Sequence, residues 1–265
     1  MYSKFQLVKK YLRYYITASN GKGHGVHSPF VFDLITKVFN DDGHYYCYET
    51  IELLRKQLMT NNTILTIEDF GAGSRVSAQK QRSVSFIAKS SLKPRKFSTL
   101  FFRLVNYFQP NNIIELGTSL GITTAYMASA KPDAVISTFE GATAVATVAQ
   151  KNFTVLGLSN IKIIKGNFDD TLPNVLQQIK TVDFAFVDGN HRKQPTLHYF
   201  TQLLDKSNES SVLIFDDIHW STEMDEAWAS IKSHPRVTLT IDLFFIGLVF
   251  LRTEQKAKQH FVVRF

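Results

Sequence analysis

The pattern of apolar and polar residues changes character at Pro110. After it, short apolar segments rich in β-branched residues alternate with segments of helical periodicity. Continuous apolar strands that alternate with helices are typical of a parallel sheet covered on both faces. The predicted strands are 113–116, 134–139, 161–165, 182–187 and 211–215, and the predicted helices are 122–130, 143–156, 172–179, 194–204 and 223–233.

Two further apolar segments, 237–243 and 247–252, leave no room for a helix between them. They predict an antiparallel hairpin at the edge of the sheet. The predicted fold class is therefore α/β, a Rossmann-like doubly wound sheet of seven strands in which five parallel strands precede a C-terminal antiparallel hairpin.

Before Pro110 the pattern is mostly helical, aromatic and basic. Helices are predicted at 5–16, at 30–39 behind a Ser28 cap and Pro29, at 49–59 and at 99–108. Residues 79–96 are basic and serine-rich, which indicates a mobile loop or an exposed helix. We therefore expect two domains: a mostly helical extension or lid over residues 1–110 and a cofactor-binding domain over residues 111–265.

Composition is that of a soluble globular protein, with 44% hydrophobic residues. Thirty Lys and Arg against 23 Asp and Glu give a net charge of +7, which is compatible with an anionic partner or with solubility alone. The single cysteine, Cys47, excludes an intramolecular disulfide. Without a recognisable signal peptide or an apolar run long enough to span a bilayer, we expect a cytoplasmic protein.

A glycine-rich turn follows the first strand of the second region, from Gly117 to Gly121, and a helix begins behind it. Glycines allow a ligand to approach the backbone, and the helix N-terminus offers unpaired N–H groups. This position in a doubly wound sheet predicts a nucleotide-like cofactor. The central glycine of G-x-G-x-x-G is missing, which argues against a bound pyrophosphate.

The same turn also matches G-x-S-x-G, the nucleophile elbow of α/β-hydrolases, with Ser119 as the nucleophile. Asp188 or Asp216 and a later histidine would complete a triad. A hydrolase places its elbow after several strands, whereas at most one precedes this turn. The hydrolase remains an alternative function.

Three strand ends together resemble those of class I S-adenosylmethionine-dependent methyltransferases. They are Glu115 with the turn at 116–121, Glu140 about 20 residues later, and the turn at 165–168. The resemblance implies that Glu115 serves the methionine end of the cofactor and that Glu140 holds the ribose hydroxyls. It further implies contacts from the residues beside them: Gly117, Thr118, Ser119, Gly121, Gly141, Asn167 and Phe168 along the turns, with Asp188 after the fourth strand.

A second acid-glycine segment lies upstream, at Gly71–Ser74. No acid ends a second strand about 20 residues later, where a ribose partner belongs. We therefore interpret it as a turn of the N-terminal region, part of a lid.

Acidic residues also end the fourth and fifth strands. Asp188 and His191 follow the fourth, and Asp216, Asp217 and His219 follow the fifth. Three carboxylates at one sheet edge repel one another unless a cation lies between them, and oxygen-rich ligation suits Mg²⁺ or another hard divalent ion. The alternative is that Asp188 and Asp216 cap helices and that the histidines are surface residues.

This arrangement resembles the metal-dependent O-methyltransferases of the catechol, caffeoyl-CoA and macrolide-sugar types. The resemblance implies Asp188, Asp216 and Asp217 as metal ligands and His191 as the base that deprotonates a small-molecule hydroxyl. Arg192 and Lys193 stand where those families often carry an aromatic and an acid, so the substrate geometry differs.

Other partners are left open. The basic region 89–96 keeps an RNA methyltransferase as an alternative, although the Asn/Asp-Pro-Pro-aromatic motif of base-methylating enzymes is missing. A homodimer also stays open. His24 and His27, in a glycine-rich turn, are interpreted as residues that fix the loop.

Overall fold

The computed structural model describes residues 1–67, 81–254 and 257–265, arranged in two compact units. One unit combines residues 1–41 with 180–265, and the other comprises residues 42–179. The turn at Gly71–Ser74 lies outside the described residues. The predicted boundary near residue 110, between an extension and a cofactor-binding domain, stays a prediction.

Ten α-helices are formed by the described residues, and a π-helical turn at Ile35–Phe39 follows the second of them. They are α1 (Lys4–Thr17), α2 (Pro29–Leu34), α3 (Tyr48–Thr60), α4 (Val84–Ser91), α5 (Arg95–Phe108), α6 (Ile122–Ala130), α7 (Thr143–Val155), α8 (Phe168–Gln178), α9 (Lys193–Asp205) and α10 (Thr222–Ser233).

The same residues form ten strands, each only three to six residues long. They are β1 (Ile64–Thr66), β2 (Gln81–Ser83), β3 (Asn112–Leu116), β4 (Val135–Glu140), β5 (Ile161–Lys165), β6 (Phe184–Val187), β7 (Val212–Asp216), β8 (Leu239–Asp242), β9 (Ile246–Phe250) and β10 (Gln259–Val262).

In the unit of residues 42–179, β3, β4 and β5 are parallel neighbours, as their apolar pattern predicts. Their register pairs Leu116 with Phe139 and Glu140 with Lys165. Since parallel strands end at the same edge, the turns that follow Leu116, Glu140 and Lys165 all leave the strands on one side. This geometry positions the predicted cofactor residues.

In the unit of residues 1–41 and 180–265, β6 and β7 are parallel and Val187 pairs with Phe215. Asp188 and Asp216 therefore follow at the same edge. The predicted hairpin is confirmed, because β9 runs antiparallel to both β7 and β8.

Three strands were not predicted: β1 and β2, which pair only with each other, and, in addition to the seven strands of the predicted sheet, β10. Strand β10 pairs parallel with β8, from Gln259 opposite Leu239 to Val262 opposite Asp242. Its four residues alternate between partly buried and exposed positions, unlike the continuous apolar strands used for the prediction. A strand this short at an edge leaves little pattern to detect.

Within the serine-rich region 79–96, of which residues 79 and 80 lie outside the described part, residues 81–91 form neither a mobile loop nor an exposed helix. They form β2 and α4, and Val84, Ile87 and Ala88 of α4 are buried against the α3 residues Leu54 and Leu58. Those three positions share one helix face, while the serines at 90 and 91 stay exposed. Ser83 caps the helix by accepting a hydrogen bond from the Phe86 N–H.

The other predicted N-terminal helices are present. The helix predicted at 5–16 spans Lys4–Thr17, and the one predicted at 30–39 divides into α2 and the π-helical turn. Ser28 caps α2 and Pro29 occupies its first position, as predicted. None of the helices formed by the described residues is long and apolar enough to cross a bilayer.

Candidate active site

The glycine turn after β3 is held tightly against β4. The Gly117 and Thr118 N–H groups both donate to the Phe139 carbonyl oxygen, each at 3.0 Å. Gly121 has φ +81°, and a Cβ there would lie 2.5 Å from the Phe153 ring, so both the conformation and the space require glycine. Ser119 also adopts positive φ, at 49°. The turn therefore has a defined backbone conformation, and α6 begins directly after Gly121.

Glu115 lies at the end of β3 and is completely buried. Its Oε2 accepts hydrogen bonds from the hydroxyls of Thr124, at 2.5 Å, and Thr138, at 2.6 Å. Its Oε1 has no hydrogen-bond partner among the described residues. Burial raises the pKa of Glu115 to about 7, although the two threonine hydrogen bonds oppose the shift. The buried Oε1 is therefore able to accept a donor from a ligand.

Glu140 ends β4, and backbone N–H groups orient its carboxylate. The Ser119 N–H donates to Oε2 and the Ala142 N–H donates to Oε1, both at 2.9 Å. Each oxygen keeps a second lone pair, and the side chain is only partly buried. The two carboxylate oxygens are thus held in a fixed orientation at the end of β4, and the predicted contact of Glu140 with a ribose stays a prediction.

The other cofactor residues predicted from the sequence lie along the same edge. The Thr118 hydroxyl is 2.6 Å from that of Thr138, and the partly buried Gly141 follows Glu140 directly. Asn167 caps α8 by accepting from the Asp169 N–H at 3.3 Å. The partly buried Phe168 ring packs edge-on against Phe139, with centroids 6.4 Å apart.

Asp188, His191 and Asp216 form a cluster of possible metal ligands after β6 and β7. One donor atom from each lies within 4.8 Å of the other two. His191 Nε2 is 3.7 Å from Asp188 Oδ1 and 4.0 Å from Asp217 Oδ2. Asp216 is buried and the other three are partly buried. The cluster brings together the predicted base and two of the three predicted carboxylates, Asp188 and Asp216, and does not include Asp217.

The turns that carry this cluster have unusual backbone conformations. Asn190 and Asp217 both have positive φ, at 53° and 52°. Such conformations cost free energy for residues other than glycine and are most frequent for asparagine and aspartate. These conformations set the direction in which the backbone continues after β6 and after β7.

The alternative role of these acids as helix caps is wrong. The N-cap of α9 is Arg192, and that of α10 is Ser221, whose hydroxyl accepts from the Met224 N–H. Neither Asp188 nor Asp216 occupies a cap position. Their carboxylates therefore do not serve as the N-terminal caps of α9 and α10.

His219, which was also considered a surface residue, is instead held between two carboxylates. Its Nδ1 is 2.7 Å from Asp225 Oδ1, and its Nε2 is 2.7 Å from Asp242 Oδ2. Burial alone would lower the pKa of His219, but these two partners raise it to about 9. Both nitrogens are used in this contact, so His219 serves the structure of the unit.

The hydrolase alternative finds no support at Ser119. The Ser119 hydroxyl is buried and has no hydrogen-bond partner among the described residues. A serine nucleophile needs a base within hydrogen-bonding distance. The backbone N–H of Ser119, by contrast, supports Glu140.

Arg192 and Lys193, where the sequence departs from the related families, contact their own neighbours. The Arg192 guanidinium donates to Asn190 Oδ1 through Nε, at 3.1 Å, and Nη2, at 3.0 Å. Lys193 Nζ is 2.7 Å from Glu226 Oε2. Both side chains thus stabilise the turn that carries His191 and the start of α9.

Comparison with known proteins identifies the central part of the chain. Residues 114–218 match the family model described as a methyltransferase domain. A catechol O-methyltransferase of Niastella koreensis is 34% identical over 118 residues, which cover 43% of this chain and 52% of that protein. The chain therefore matches about half the length of this curated relative.

Solved structures resemble the fold at low sequence identity. The methyltransferase PaMTH1 of Podospora anserina, bound to S-adenosylhomocysteine, has a TM-score of 0.58 at 12% identity, covering 95% of this chain and 97% of that one. The O-methyltransferase TomG of Streptomyces achromogenes, in complex with S-adenosylmethionine, has a TM-score of 0.54 at 20% identity, covering 62% and 82%.

These matches confirm the resemblance stated from the sequence. Residues 114–218 are similar to a methyltransferase domain, and the fold class of the chain is α/β, with a large, mostly parallel sheet flanked by helices as in Rossmann-like methyltransferases.

Proposed function

From the similarity of residues 114–218 to a methyltransferase domain, we propose that this chain transfers a methyl group from S-adenosylmethionine to a hydroxyl of a small molecule, with the help of a divalent metal ion. The observation that carries the proposal is the cluster of Asp188, His191 and Asp216, which places a base among hard oxygen donors. The catechol O-methyltransferase relative supports oxygen as the accepting atom.

The turns of residues 42–179 suit the proposed cofactor. Glu140, oriented by two backbone N–H groups, would accept the ribose hydroxyls. The unpartnered Oε1 of Glu115 is a buried acceptor suited to the donors at the methionine end. Asn167 and Phe168 would frame the adenine, and the backbone of Gly117, Thr118 and Gly121 would line the turn. The cofactor supplies the sulfonium methyl group that is transferred.

Asp188 and Asp216 suit a hard cation. Their carboxylates provide oxygen ligands, and Asp217 offers another carboxylate near the same histidine. Mg²⁺ prefers oxygen donors and keeps several of its waters, so two or three carboxylates are enough to hold it. A bound cation would supply Lewis acidity that lowers the pKa of the substrate hydroxyl.

His191 would accept the proton of that hydroxyl at Nε2. The Asp188 and Asp217 carboxylates, at 3.7 and 4.0 Å from this nitrogen, favour the imidazolium that forms. The resulting oxyanion would be the nucleophile for the methyl group that the bound cofactor would supply, with the electron pair of the broken carbon–sulfur bond left on sulfur. The enzyme's main contribution is then to align the two reactants.

Titration calorimetry with S-adenosylmethionine and S-adenosylhomocysteine, with and without Mg²⁺, tests the proposal. We expect both forms to bind wild type, and Mg²⁺ to bind wild type but not Asp216→Asn. Methyl transfer to catechol as the probe should require Mg²⁺ and His191. If neither cofactor form binds, the proposal is wrong, and hydrolysis of an ester by Ser119 becomes the function to test.

A further inference from the structure

Helix α1 has two apolar faces, and only one of them packs against other residues in the part of the chain that the structure describes. On the inner face, the Tyr11 ring meets Phe244 edge-on at 5.1 Å, and the buried Tyr14 lies 5.3 Å from the same ring. This contact accounts for the apolar residues on the inner face of α1. It does not account for the apolar residues on the opposite, outer face.

Polar contacts fix the direction in which α1 presents its outer face. The Tyr14 hydroxyl donates to the Val263 carbonyl oxygen at 2.5 Å and accepts from the Phe265 N–H at 3.2 Å. Just before the other end, the Tyr2 hydroxyl donates to Asp225 Oδ2 at 2.6 Å, and Lys10 Nζ, in the middle of the helix, is also 2.6 Å from that oxygen. The helix is therefore anchored near both ends, and it cannot roll to bury its outer face without breaking these contacts.

The outer face is a continuous apolar stripe. Its residues are spaced by three, four and four positions, so they align along one side of the helix. Their exposures are 78% for Phe5, 56% for Val8, 55% for Leu12 and 75% for Ile16. Single exposed apolar residues are ordinary, but a contiguous stripe on an anchored helix marks an interaction surface.

Cations border the stripe. Lys4, Lys9 and Arg13 are exposed, and α1 contains no Asp or Glu. Pairing of the stripe with α1 of a second copy would place cations beside cations. An anionic bilayer, by contrast, offers acyl chains to the apolar stripe and phosphates to its basic border. A helix with these features lies in the plane of a bilayer surface.

We propose that α1 binds an anionic lipid bilayer, with Phe5, Val8, Leu12 and Ile16 entering the boundary between headgroups and acyl chains. Lys4, Lys9 and Arg13 would contact lipid phosphates. With 14 residues, α1 is about 21 Å long and lies flat rather than spanning. This inference is independent of the proposed methyl transfer.

Sedimentation of the full-length protein with vesicles tests the proposal, comparing 30% phosphatidylglycerol in phosphatidylcholine with pure phosphatidylcholine. We expect wild type to bind the anionic vesicles much more strongly, and less so at high salt. Phe5→Ser with Leu12→Ser should lower the partition coefficient by at least about 100-fold. Lys9→Gln with Arg13→Gln should lower it by about 25-fold, at roughly fivefold per charge.

The control variants remove an exposed apolar side chain and an exposed charge from α7 instead of α1. They are Val155→Ser and Lys151→Gln, and both should bind like wild type. If the stripe variant fails to fold, as judged by its melting curve, the charge variant decides alone. Failure of wild type to bind anionic vesicles overturns the proposal, as does a stripe variant that still binds. A wild-type dimer that ignores vesicles and dissociates on Phe5→Ser with Leu12→Ser would show instead that the stripe pairs with a second copy.

Discussion

At the scale of single residues, the candidate cofactor site depends on two glutamates in contrasting surroundings. Glu115 is completely buried and keeps one unpartnered oxygen, whereas Glu140 is partly exposed and receives two backbone N–H groups. Burial without a compensating charge favours the neutral acid, and backbone donors favour the carboxylate. The two side chains therefore respond differently to pH and to substitution.

The buried Glu115 should make stability depend on pH. Its pKa in the folded state is about 7, above its usual value of 4.5. Below pH 4.5 Glu115 is neutral in both the folded and the unfolded state, so its ionisation does not change the free energy of unfolding. As the pH rises from 4.5 through 7, the carboxylate is favoured in the unfolded state but disfavoured in the buried site, so the free energy of unfolding falls. Urea unfolding between pH 5 and 8 should show this fall in wild type. Glu115→Gln should flatten it, whereas Glu49→Gln, at an exposed site, should not.

Glu140→Gln should weaken binding of S-adenosylmethionine by about 10- to 100-fold, since hydrogen bonds to a charged acceptor contribute about 1.5–3 kcal/mol each. Glu49→Gln, the same change at an exposed position of α3, is the matched control. Calorimetry should find Glu49→Gln within about twofold of wild type. A larger loss in Glu49→Gln than in Glu140→Gln would contradict the role assigned to Glu140.

At the scale of elements, one ionic network joins segments that are far apart in sequence. Asp225, in α10, contacts His219 at 2.7 Å and also Lys10 and the Tyr2 hydroxyl, both at 2.6 Å. His219 in turn contacts Asp242 at the end of β8. The network therefore holds α1, α10 and the β8–β9 turn in one arrangement.

Asp225→Asn should destabilise this unit by about 1–3 kcal/mol, because it leaves a buried imidazolium and a lysine with one carboxylate fewer. Asp33→Asn is the matched control: it breaks the exposed pair with Lys37 on a single helical segment, which should contribute less than about 0.5 kcal/mol. Thermal and urea unfolding of the two variants measure the difference. Equal effects would show that the network adds no stability.

At the scale of the whole molecule, the candidate metal ligands and the residues proposed for the ribose and methionine ends belong to different compact units. Asp188, His191 and Asp216 lie in the unit formed by residues 1–41 and 180–265, whereas Glu115 and Glu140 lie in residues 42–179. The contacts described above for each group, His191 with Asp188 and Glu140 with the Ser119 N–H, are made within its own unit. The two binding events should therefore be separable by mutation.

Asp216→Asn should remove Mg²⁺ binding while S-adenosylmethionine affinity stays within about threefold of wild type. Glu140→Gln should instead weaken S-adenosylmethionine binding by about 10- to 100-fold while Mg²⁺ affinity stays within about threefold of wild type. Methyl transfer should be lost in Asp216→Asn and reduced in Glu140→Gln at subsaturating cofactor, and removal of divalent ions with a chelator should abolish it in wild type. Loss of both ligands in either single variant would contradict this separation, provided that the melting temperature is unchanged.

Much of the fold follows from the sequence, because its signals are local. Continuous apolar strands, the cap at Ser28 and the glycine turn at Gly117 each show their structure within a few residues. The acids at strand ends were found in the same way, since parallel strands place their ends at one edge. The candidate cofactor turn with Glu115 and Glu140 is local in this sense, as are Asp188, directly after β6, and Asp216, the last residue of β7.

Tertiary structure decided what depends on contacts between distant segments. Periodicity shows that a helix has an apolar face, but not which face is covered: α4 is buried in the core, whereas α1 leaves its Phe5–Ile16 stripe outside. The grouping of His191 with two carboxylates and the pairing of His219 with Asp225 and Asp242 also needed the fold. Side chains far apart in sequence meet only when packing fixes their distance, and no pattern along the chain records that distance.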